Sequence, residues 1–184
     1  MRTWTLFLCF VALEASAQHQ KNSFYCAPSV GLCIHQSVVP EGQATAGISF
    51  NRRVDLGLGL GTDAGGIQST SLFMETKTYL LNLSNHNVFA YANGGINHPG
   101  AGALDASGFP GAYLKNGYFA DAGFGCTLTN RKRPLSLFIT AGYGLKSYAR
   151  VFAYTDFQSG LQGNHSYTYH FHRINLRLGL RMGR

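Results

Sequence analysis

The chain has 184 residues; 45% of them are hydrophobic, only 12% are charged, and the formal net charge is +7. An ordinary soluble domain carries about 25% charged residues, so this composition is poor in charge. After residue 17 no window stays apolar for about eighteen positions, which excludes a helical membrane protein. The cationic residues do not form one stripe and no nucleic-acid motif accompanies them, so the sequence predicts no nucleic-acid partner.

Residues 1–17 have the pattern of an export signal. Arg2 supplies the positive start, residues 4–13 are apolar, and Ala15 and Ala17 give a small-residue cleavage site before Gln18. An apolar stretch of about ten residues is too short to span a membrane as a helix. We therefore expect a cleaved signal peptide over residues 1–17 and one exported domain over residues 18–184.

Removal of that signal would leave three cysteines, Cys26, Cys33 and Cys126. An odd number in an exported chain allows one disulfide and one free thiol. Cys26 and Cys33 are seven positions apart, which places them on opposite faces of a regular strand, so the pairing stays open. No CxxC spacing is present, and the sequence predicts neither a metal nor a cofactor.

Segments of alternating residues recur along the chain, with an aliphatic face opposite a face of glycine and charge. Between residues 54 and 61 the leucines alternate with aspartate and glycine, and between residues 174 and 182 the aliphatic residues alternate with asparagine, arginine and glycine. This period of two predicts strands. An even strand count requires the segment at residues 24–36, with Val30, Leu32 and Ile34 outward and Pro28 at its start, where a missing N–H is tolerated. The predicted strands cover residues 24–36, 44–51, 54–61, 72–81, 88–97, 118–128, 135–146 and a last segment around 174–182.

The connections between these strands alternate in length. Short links are predicted at residues 51–53, 83–87 and 130–134, and longer ones at residues 37–43, 62–70, 98–116 and 150–166. Tight turns on one side and longer loops on the other are typical of bacterial outer-membrane barrels. The sequence predicts an all-β protein, an eight-stranded antiparallel up-and-down transmembrane barrel, with both termini on the short-turn side.

Three stretches carry a family resemblance: AGISFNRRVDLGLGLG within residues 45–61, SLFMETKTYLL and VFAYANGGIN within residues 71–97, and DAGFGCTLTNRKRPLSLFITAGYGLKSY within residues 117–148. They are similar to the small outer-membrane β-barrel domains widespread in Gram-negative bacteria. The resemblance covers most of the mature chain. It implies an eight-stranded barrel in the outer membrane and says almost nothing about activity.

Seven charged side chains point into the lumen by the parity of their strands. An eight-stranded barrel has an interior about wide enough for side chains alone, and an isolated buried charge is too unfavourable to persist there. We therefore expect these charges to pair as a polar plug; a narrow polar path is the alternative. The predicted lumen network is Asp55, Glu75, Lys77, Asp121, Lys146, Arg177 and Arg181.

The histidines near the last strand are a second candidate site. His170 and His172 share a face and could hold a metal together, with His98 or Asp156 as a third ligand. Parity turns both outward, and the neighbouring residues are aromatic. The sequence favours an interfacial aromatic girdle over a metal site.

Hydrolytic chemistry is the third candidate. Some eight-stranded barrels modify lipid A with a His–Ser pair and an acidic residue, and His165, Ser166 and Asp156 could supply those groups. The pattern of that deacylase family resembles H-x-S, whereas His165 and Ser166 are consecutive, so a strand directs them to opposite faces. No G-x-S-x-G motif is present, and the sequence predicts that the protein is not an enzyme.

The loop at residues 98–116 is rich in glycine and proline, with Phe109 and Tyr113 as its aromatic residues. Binding residues concentrate on such loops. The sequence thus predicts a monomeric outer-membrane protein with a structural, adhesive or surface-binding role. Its expected partners are outer-membrane lipid, lipopolysaccharide and the barrel-assembly machinery. A small barrel that binds or transports a hydrophobic ligand is the alternative; a lipid-modifying enzyme and a soluble exported β-sandwich come after it.

Overall fold

A computed structural model describes residues 22–51, 53–64, 68–83, 86–100, 113–129, 135–155 and 162–183. The regular structure within these ranges is all β. None of the described segments forms a helix with the length and apolar character that a membrane crossing requires. The strands are β1 (Ser23–Ile34), β2 (Val38–Phe50), β3 (Val54–Asp63), β4 (Ser69–Asn82), β5 (His86–Pro99), β6 (Tyr113–Lys115), β7 (Gly117–Thr129), β8 (Leu135–Thr155) and β9 (Gln162–Gly183).

These strands form one closed antiparallel barrel. β1 to β4 each pair with the next strand along the chain, β5 pairs with β7, β7 with β8, and β9 pairs with both β8 and β1, while the short β6 pairs with β8. The short β6 and β7 lie along the same edge of β8, with a one-residue change of register between the pairs Lys115–Ala149 and Phe119–Lys146. The two segments are one interrupted strand, so the barrel has eight strands. This confirms the predicted fold class.

The two faces of the barrel wall differ as the alternation predicts. On β9, Leu176 and Leu178 are exposed on the outside, whereas Asn175 and Arg177 are buried inside. On β1, Val30, Leu32 and Ile34 are outward, as expected. The exposed face forms an aliphatic belt around the barrel, which includes Leu56, Leu58, Leu60, Leu72, Met74, Ile96, Phe124, Leu137, Ile139, Ile174, Leu176, Leu178 and Leu180.

The sequence analysis placed Pro28 at the start of its strand, and this prediction is wrong. It lies in the middle of β1, where it pairs with Ala44 of β2. On the other side of β1 the ladder to β9 is interrupted between the pairs Cys26–Met182 and Ser29–Gly179. Because proline has no N–H to donate, its position within the strand is possible only beside such a gap.

Two of the predicted long loops are largely strand. Residues 38–43 belong to β2 and pair with β1, so the expected loop at residues 37–43 is wrong. The expected loop at residues 150–166 is also too long, since β8 continues to Thr155 and β9 starts at Gln162. In residues 38–43 the outward positions are Val38, Pro40 and Gly42, so the aliphatic face that marks the other strands is nearly absent.

The extra length of β8 and β9 forms a protruding hairpin, defined here as residues 147–155 and 162–170. Its two strands pair with each other through to the pair Thr155–Gln162. On the far side, β1 reaches only as far as Ile174, and no described strand pairs with that edge of β9 above it. On the other side, β6 pairs with β8 as far as Val151. The hairpin therefore rises from the long-link end of the barrel, and beyond Val151 its strands pair only with each other within the described residues.

The opposite end of the barrel carries tight turns. The backbone N–H of Arg53 donates to the carbonyl of Phe50 at 3.0 Å. Asn51 has a φ of 51°, a left-handed conformation that asparagine tolerates better than most residues. Leu83 N–H donates to the carbonyl of His86 at 2.9 Å in the next turn. The predicted link at residues 130–134 lies outside the described residues.

Candidate functional site

The interior of the barrel is filled by large rings that pack against glycines. A Cβ added to Gly59 or Gly125 would lie less than 3.0 Å from the ring of Phe73 or Phe89, respectively. Gly179 has the same relation to Phe138. Because glycine has no side chain, a ring from a nearby strand can pack directly against the backbone at these positions. The glycines of the wall and the rings of the lumen are therefore complementary in size.

All seven residues of the predicted lumen network point into the barrel. Six are buried and the seventh, Arg181, is partly buried near the tight-turn end. The sequence analysis did not include three further members, Glu41, Asp63 and Arg173, all of which are buried. Glu41 and Asp63 fell within predicted loops. Arg173 has the parity of Arg177 and could have been found by extending the alternation one step.

At the tight-turn end the network is built around Asp55. Arg181 Nη2 lies 3.2 Å from Asp55 Oδ2, and the Tyr79 hydroxyl donates to the same carboxylate at 3.0 Å. The Arg181 guanidinium also stacks over the ring of Tyr25, 5.0 Å from its centroid. This layer joins β1, β3, β4 and β9 across the lumen.

In the middle of the barrel Lys77 sits in an aromatic cage. Its Nζ lies 5.8 Å from the ring centroids of Tyr25 and Phe89, and 5.1 Å from that of Phe138. Glu75 provides the counter-charge at 2.8 Å. The ring faces carry partial negative charge, so they and the carboxylate together stabilise the buried ammonium group.

Arg177 connects two carboxylates from opposite parts of the wall. Its Nε lies 2.5 Å from Glu41 Oε1 and its Nη2 lies 2.5 Å from Asp121 Oδ2. Nη1 donates to the Tyr91 hydroxyl at 3.4 Å. One guanidinium can form ion pairs with both acids because its N–H groups diverge in one plane.

At the long-link end Asp63 accepts from two cations. Lys146 Nζ and Arg173 Nη1 each lie 2.7 Å from its Oδ2, and the Ser69 hydroxyl donates to Oδ1 at 2.9 Å. The Cys33 thiol donates to Glu41 Oε2 at 2.9 Å close to this layer. Cys33 is buried while Cys26 is exposed, and both are free thiols on opposite faces of β1.

The lumen charges balance. Every carboxylate in the described ranges is buried inside the barrel, and each has at least one cationic partner. A cavity of about 10 Å³ remains at mid-height between Lys77, Thr140 and Arg177, which is room for about one water molecule. The acids are Glu41, Asp55, Asp63, Glu75 and Asp121, and the bases are Lys77, Lys146, Arg173, Arg177 and Arg181.

The two histidines of the girdle face outward at the upper edge of the aliphatic belt. Tyr118 Oη lies 3.0 Å from His170 Nδ1, and Tyr143 Oη is hydrogen-bonded to His172 Nδ1. His98 instead pairs with Asn116 Oδ1 at 2.6 Å. Among the described residues no group of three His, Cys, Asp or Glu side chains is arranged to hold a metal.

The residues considered for hydrolysis are not assembled in the described structure. His165 and Ser166 are consecutive residues of β9, exposed on opposite faces of the strand. Asp156 lies outside the described residues, and so does Phe109 with most of the loop at residues 98–116. Tyr113 belongs to β6, which pairs with β8.

The protruding hairpin carries a ladder of rings on the face that continues the lumen side of the wall. Tyr148 stacks on Tyr169 and on Phe171, with both centroid distances 5.3 Å and interplanar angles of 28° and 20°. Further out, Phe152 meets Tyr167 edge-on at 5.8 Å. Cross-strand aromatic pairs of this kind stabilise a hairpin that has few other neighbours.

A closed eight-stranded barrel with an aliphatic outside and a charge-balanced inside defines the class of protein. Solved structures with this architecture include the outer membrane protein OprG from Pseudomonas aeruginosa, with a TM-score of 0.54, 11% identity, and coverage of 90% of this chain and 97% of that one. The outer membrane protein AlkL matches with a TM-score of 0.52, 9% identity, and coverage of 92% and 93%. Neisserial surface protein A matches with a TM-score of 0.51, 9% identity, and coverage of 88% and 96%.

These likenesses lie in the fold, since the identities are 9–11%. No protein-family model matches the chain, and no curated protein matches it in sequence. The three neighbours are small outer-membrane barrels, which is the class to which the sequence resemblance pointed.

Proposed function

We propose that this protein is a monomeric outer-membrane barrel with a closed lumen and a surface-binding role at its long-link end. The observation that carries the proposal is the distribution of side chains across the wall. A soluble barrel holds its aliphatic residues inside, whereas here Leu58, Leu178 and their neighbours are exposed and the charges are buried. Such an exterior is stable in hydrocarbon and would form a large apolar patch in water.

The proposal places the tight turns in the periplasm and the protruding hairpin outside the cell. Residues 1–17 would direct export and be removed. The barrel-assembly machinery would insert the chain, and lipid and lipopolysaccharide would surround the belt. The Tyr–His pairs at residues 118, 143, 170 and 172 would lie at headgroup level, where amphipathic rings are enriched.

Fractionation of cells that express the full chain tests this proposal. We expect the protein in the outer-membrane fraction, with a detergent-extracted form that migrates differently on gels before and after boiling. A chain recovered from the periplasm without detergent, and without that shift, would contradict the proposal.

Replacing Leu178 with arginine should destabilise the inserted barrel by about 2–4 kcal/mol, because the charge would face the middle of the bilayer. Urea titration in lipid vesicles, read from the folded fraction on gels, measures this change. Thr168→Arg is the matched control, since Thr168 is exposed on the same outward face above the belt. Equal stability of the two variants would count against a lipid-facing belt.

The packed lumen supports a role at the surface rather than diffusion of solutes. We expect no stepwise ion conductance from the wild-type protein in planar bilayers. Phe89→Ala combined with Phe138→Ala removes two rings of the cage around Lys77 and should produce conductance. A wild-type protein that conducts steadily would show that the described plug opens.

The described lumen gives no comparable support to transport of a hydrophobic ligand. Its cavity of about 10 Å³ is lined by Glu75, Lys77 and Arg177 among others, so it is small and polar. Ligand sites for apolar molecules are typically about 300–1,000 Å³ and mostly apolar. The proposal likewise includes no catalytic step.

A further inference from the structure

Two histidines on the outward face of β9 are held by tyrosines of the neighbouring strands. Tyr118 Oη lies 3.0 Å from His170 Nδ1, and the Tyr143 hydroxyl is hydrogen-bonded to His172 Nδ1. In each pair the rings also lie close together, with centroids 5.9 Å and 6.0 Å apart. Both imidazoles are exposed, so each ring is oriented by its tyrosine and still accessible from outside the wall.

The hydrogen bond at Nδ1 leaves Nε2 of each imidazole for a second partner. A hydroxyl that donates to Nδ1 requires the ring proton to be on Nε2, and an imidazolium also keeps a proton there. Within the described residues neither Nε2 forms a hydrogen bond. His170 and His172 are two positions apart on one face of the strand, a spacing of about 7 Å, so both N–H groups can donate to one group lying over the strand.

An exposed ammonium group lies on the same outward face. Lys115 of β6 pairs with Ala149 of β8, and Ala149 pairs with Thr168 of β9. Residues opposite each other in neighbouring strands share a face, so Lys115 points outward with Thr168, two positions from His170. Lys115 is exposed. A cation and two N–H donors gathered from neighbouring strands suit an oxyanion with several acceptor oxygens, such as a phosphate group.

The position of this cluster in the wall favours a lipid over a small ion as the occupant. Next to His172 on the same face, Ile174 and Leu176 are exposed and belong to the aliphatic belt. A lipid held here by its phosphate would lay its acyl chains along the belt, so it would use both surfaces, whereas inorganic phosphate would use the polar cluster alone. In the proposed orientation the long-link end faces outward, and the lipid of that leaflet is lipopolysaccharide.

We propose that Lys115, His170 and His172 bind a phosphate group of lipopolysaccharide, with Tyr118 and Tyr143 as the positioning residues that orient the imidazoles. This rests on the proposed function, because it requires the belt to lie in the outer membrane and the long-link end to face outside. The cluster then marks one side of the barrel as the seat of a specifically bound lipid.

Native mass spectrometry of the full chain in detergent micelles tests the proposal with lipid A that carries two phosphates. Lipid A with the same acyl chains and no phosphate is the comparison, and we expect the phosphorylated form to bind about tenfold or more tightly. His170→Phe with His172→Phe keeps two rings on the face and removes their N–H donors. It should weaken binding of the phosphorylated form by about tenfold or more and leave binding of the other form unchanged. Lys115→Gln should weaken the phosphorylated form by about two- to fivefold.

His86→Phe with Arg53→Gln is the matched control, because it makes the same kinds of change at exposed positions of the tight-turn end, and it should bind like the wild type. The gel shift before boiling shows that each variant is folded. Equal binding of the two forms of lipid A, or unchanged binding in the histidine variant, would overturn the proposal.

Two further probes distinguish the sources of the phosphate. Phosphatidylglycerol that binds as tightly as lipid A, with the same dependence on the histidines, would overturn lipopolysaccharide as the occupant. Inorganic phosphate that displaces lipid A at equal concentration would overturn a lipid occupant altogether. A protein that shows the gel shift and has no preference for phosphorylated lipid A contradicts this inference alone, whereas failure to insert contradicts the proposed function.

Discussion

Arg177→Met is expected to lower the free energy of unfolding by about 3–5 kcal/mol. The substitution removes the cation that Glu41 and Asp121 share, and both carboxylates are buried. Two acids would then remain in the lumen without their main counter-charge. Urea titration of the protein in lipid vesicles, followed by the gel shift of the folded form, measures the loss.

A second variant separates charge from packing in this prediction. Combining Arg177→Met with Glu41→Gln and Asp121→Asn removes the unpaired charges and should recover a large part of the stability. Arg53→Met is the control for loss of an exposed arginine, since Arg53 lies in a tight turn, and its effect should stay within about 0.5 kcal/mol. If Arg177→Met alone were as stable as the Arg53 variant, the bridge would not stabilise the barrel.

Gly59→Ala is expected to destabilise the barrel by about 1–3 kcal/mol, because the new Cβ overlaps the ring of Phe73. Phe73 is buried against Phe119 at a centroid distance of 5.3 Å, so its ring has little room to move. The same titration in vesicles measures the effect. Phe73→Leu in the Gly59→Ala background should restore part of the loss by removing the overlap.

Gly94→Ala is the matched control for this second prediction. It makes the same chemical change in β5, two strands away from β3, but nothing lies within 4 Å of the position of its new Cβ. Because alanine also restricts the unfolded chain, we expect this variant to be neutral or slightly more stable. Equal destabilisation by both substitutions would attribute the effect to strand propensity rather than to packing against the ring.

The parity of the strands within the aliphatic belt was readable from the sequence because lipid imposes it. Successive side chains alternate across the wall, so the leucines of β3 determine that Asp55 points inward and those of β9 do the same for Arg177. This alternation was sufficient to predict the eight-stranded barrel and the inward orientation of seven lumen charges. It can be read from the order of residues within each strand alone.

The same rule fails where the strands leave the lipid. Next to Glu41 the outward positions are Pro40 and Gly42, and on the second strand of the protruding hairpin they include Ser166 and Thr168, so no continuous aliphatic stripe marks these segments. Their strand conformation comes from pairing with neighbours, such as Glu41 opposite Gly31 and Asp63. Which charges pair inside the lumen, such as Arg177 with Glu41, also depends on the register between several strands. Alternation along one strand gives no information about that register.

The pairing of β9 with β1 has a consequence for the order in which the barrel can form. Every other strand pair joins neighbours along the chain and can zip up as a local hairpin, whereas this one joins the first described strand to the last. Bringing such distant segments together carries the largest loop-closure entropy of any step. Closure should therefore come late and set the folding rate, and the Pro28 gap lies in the very seam that must close. Until then the chain exposes two open edges, one on β1 and one on β9, and the unpaired N–H and C=O groups of each edge can pair with another chain.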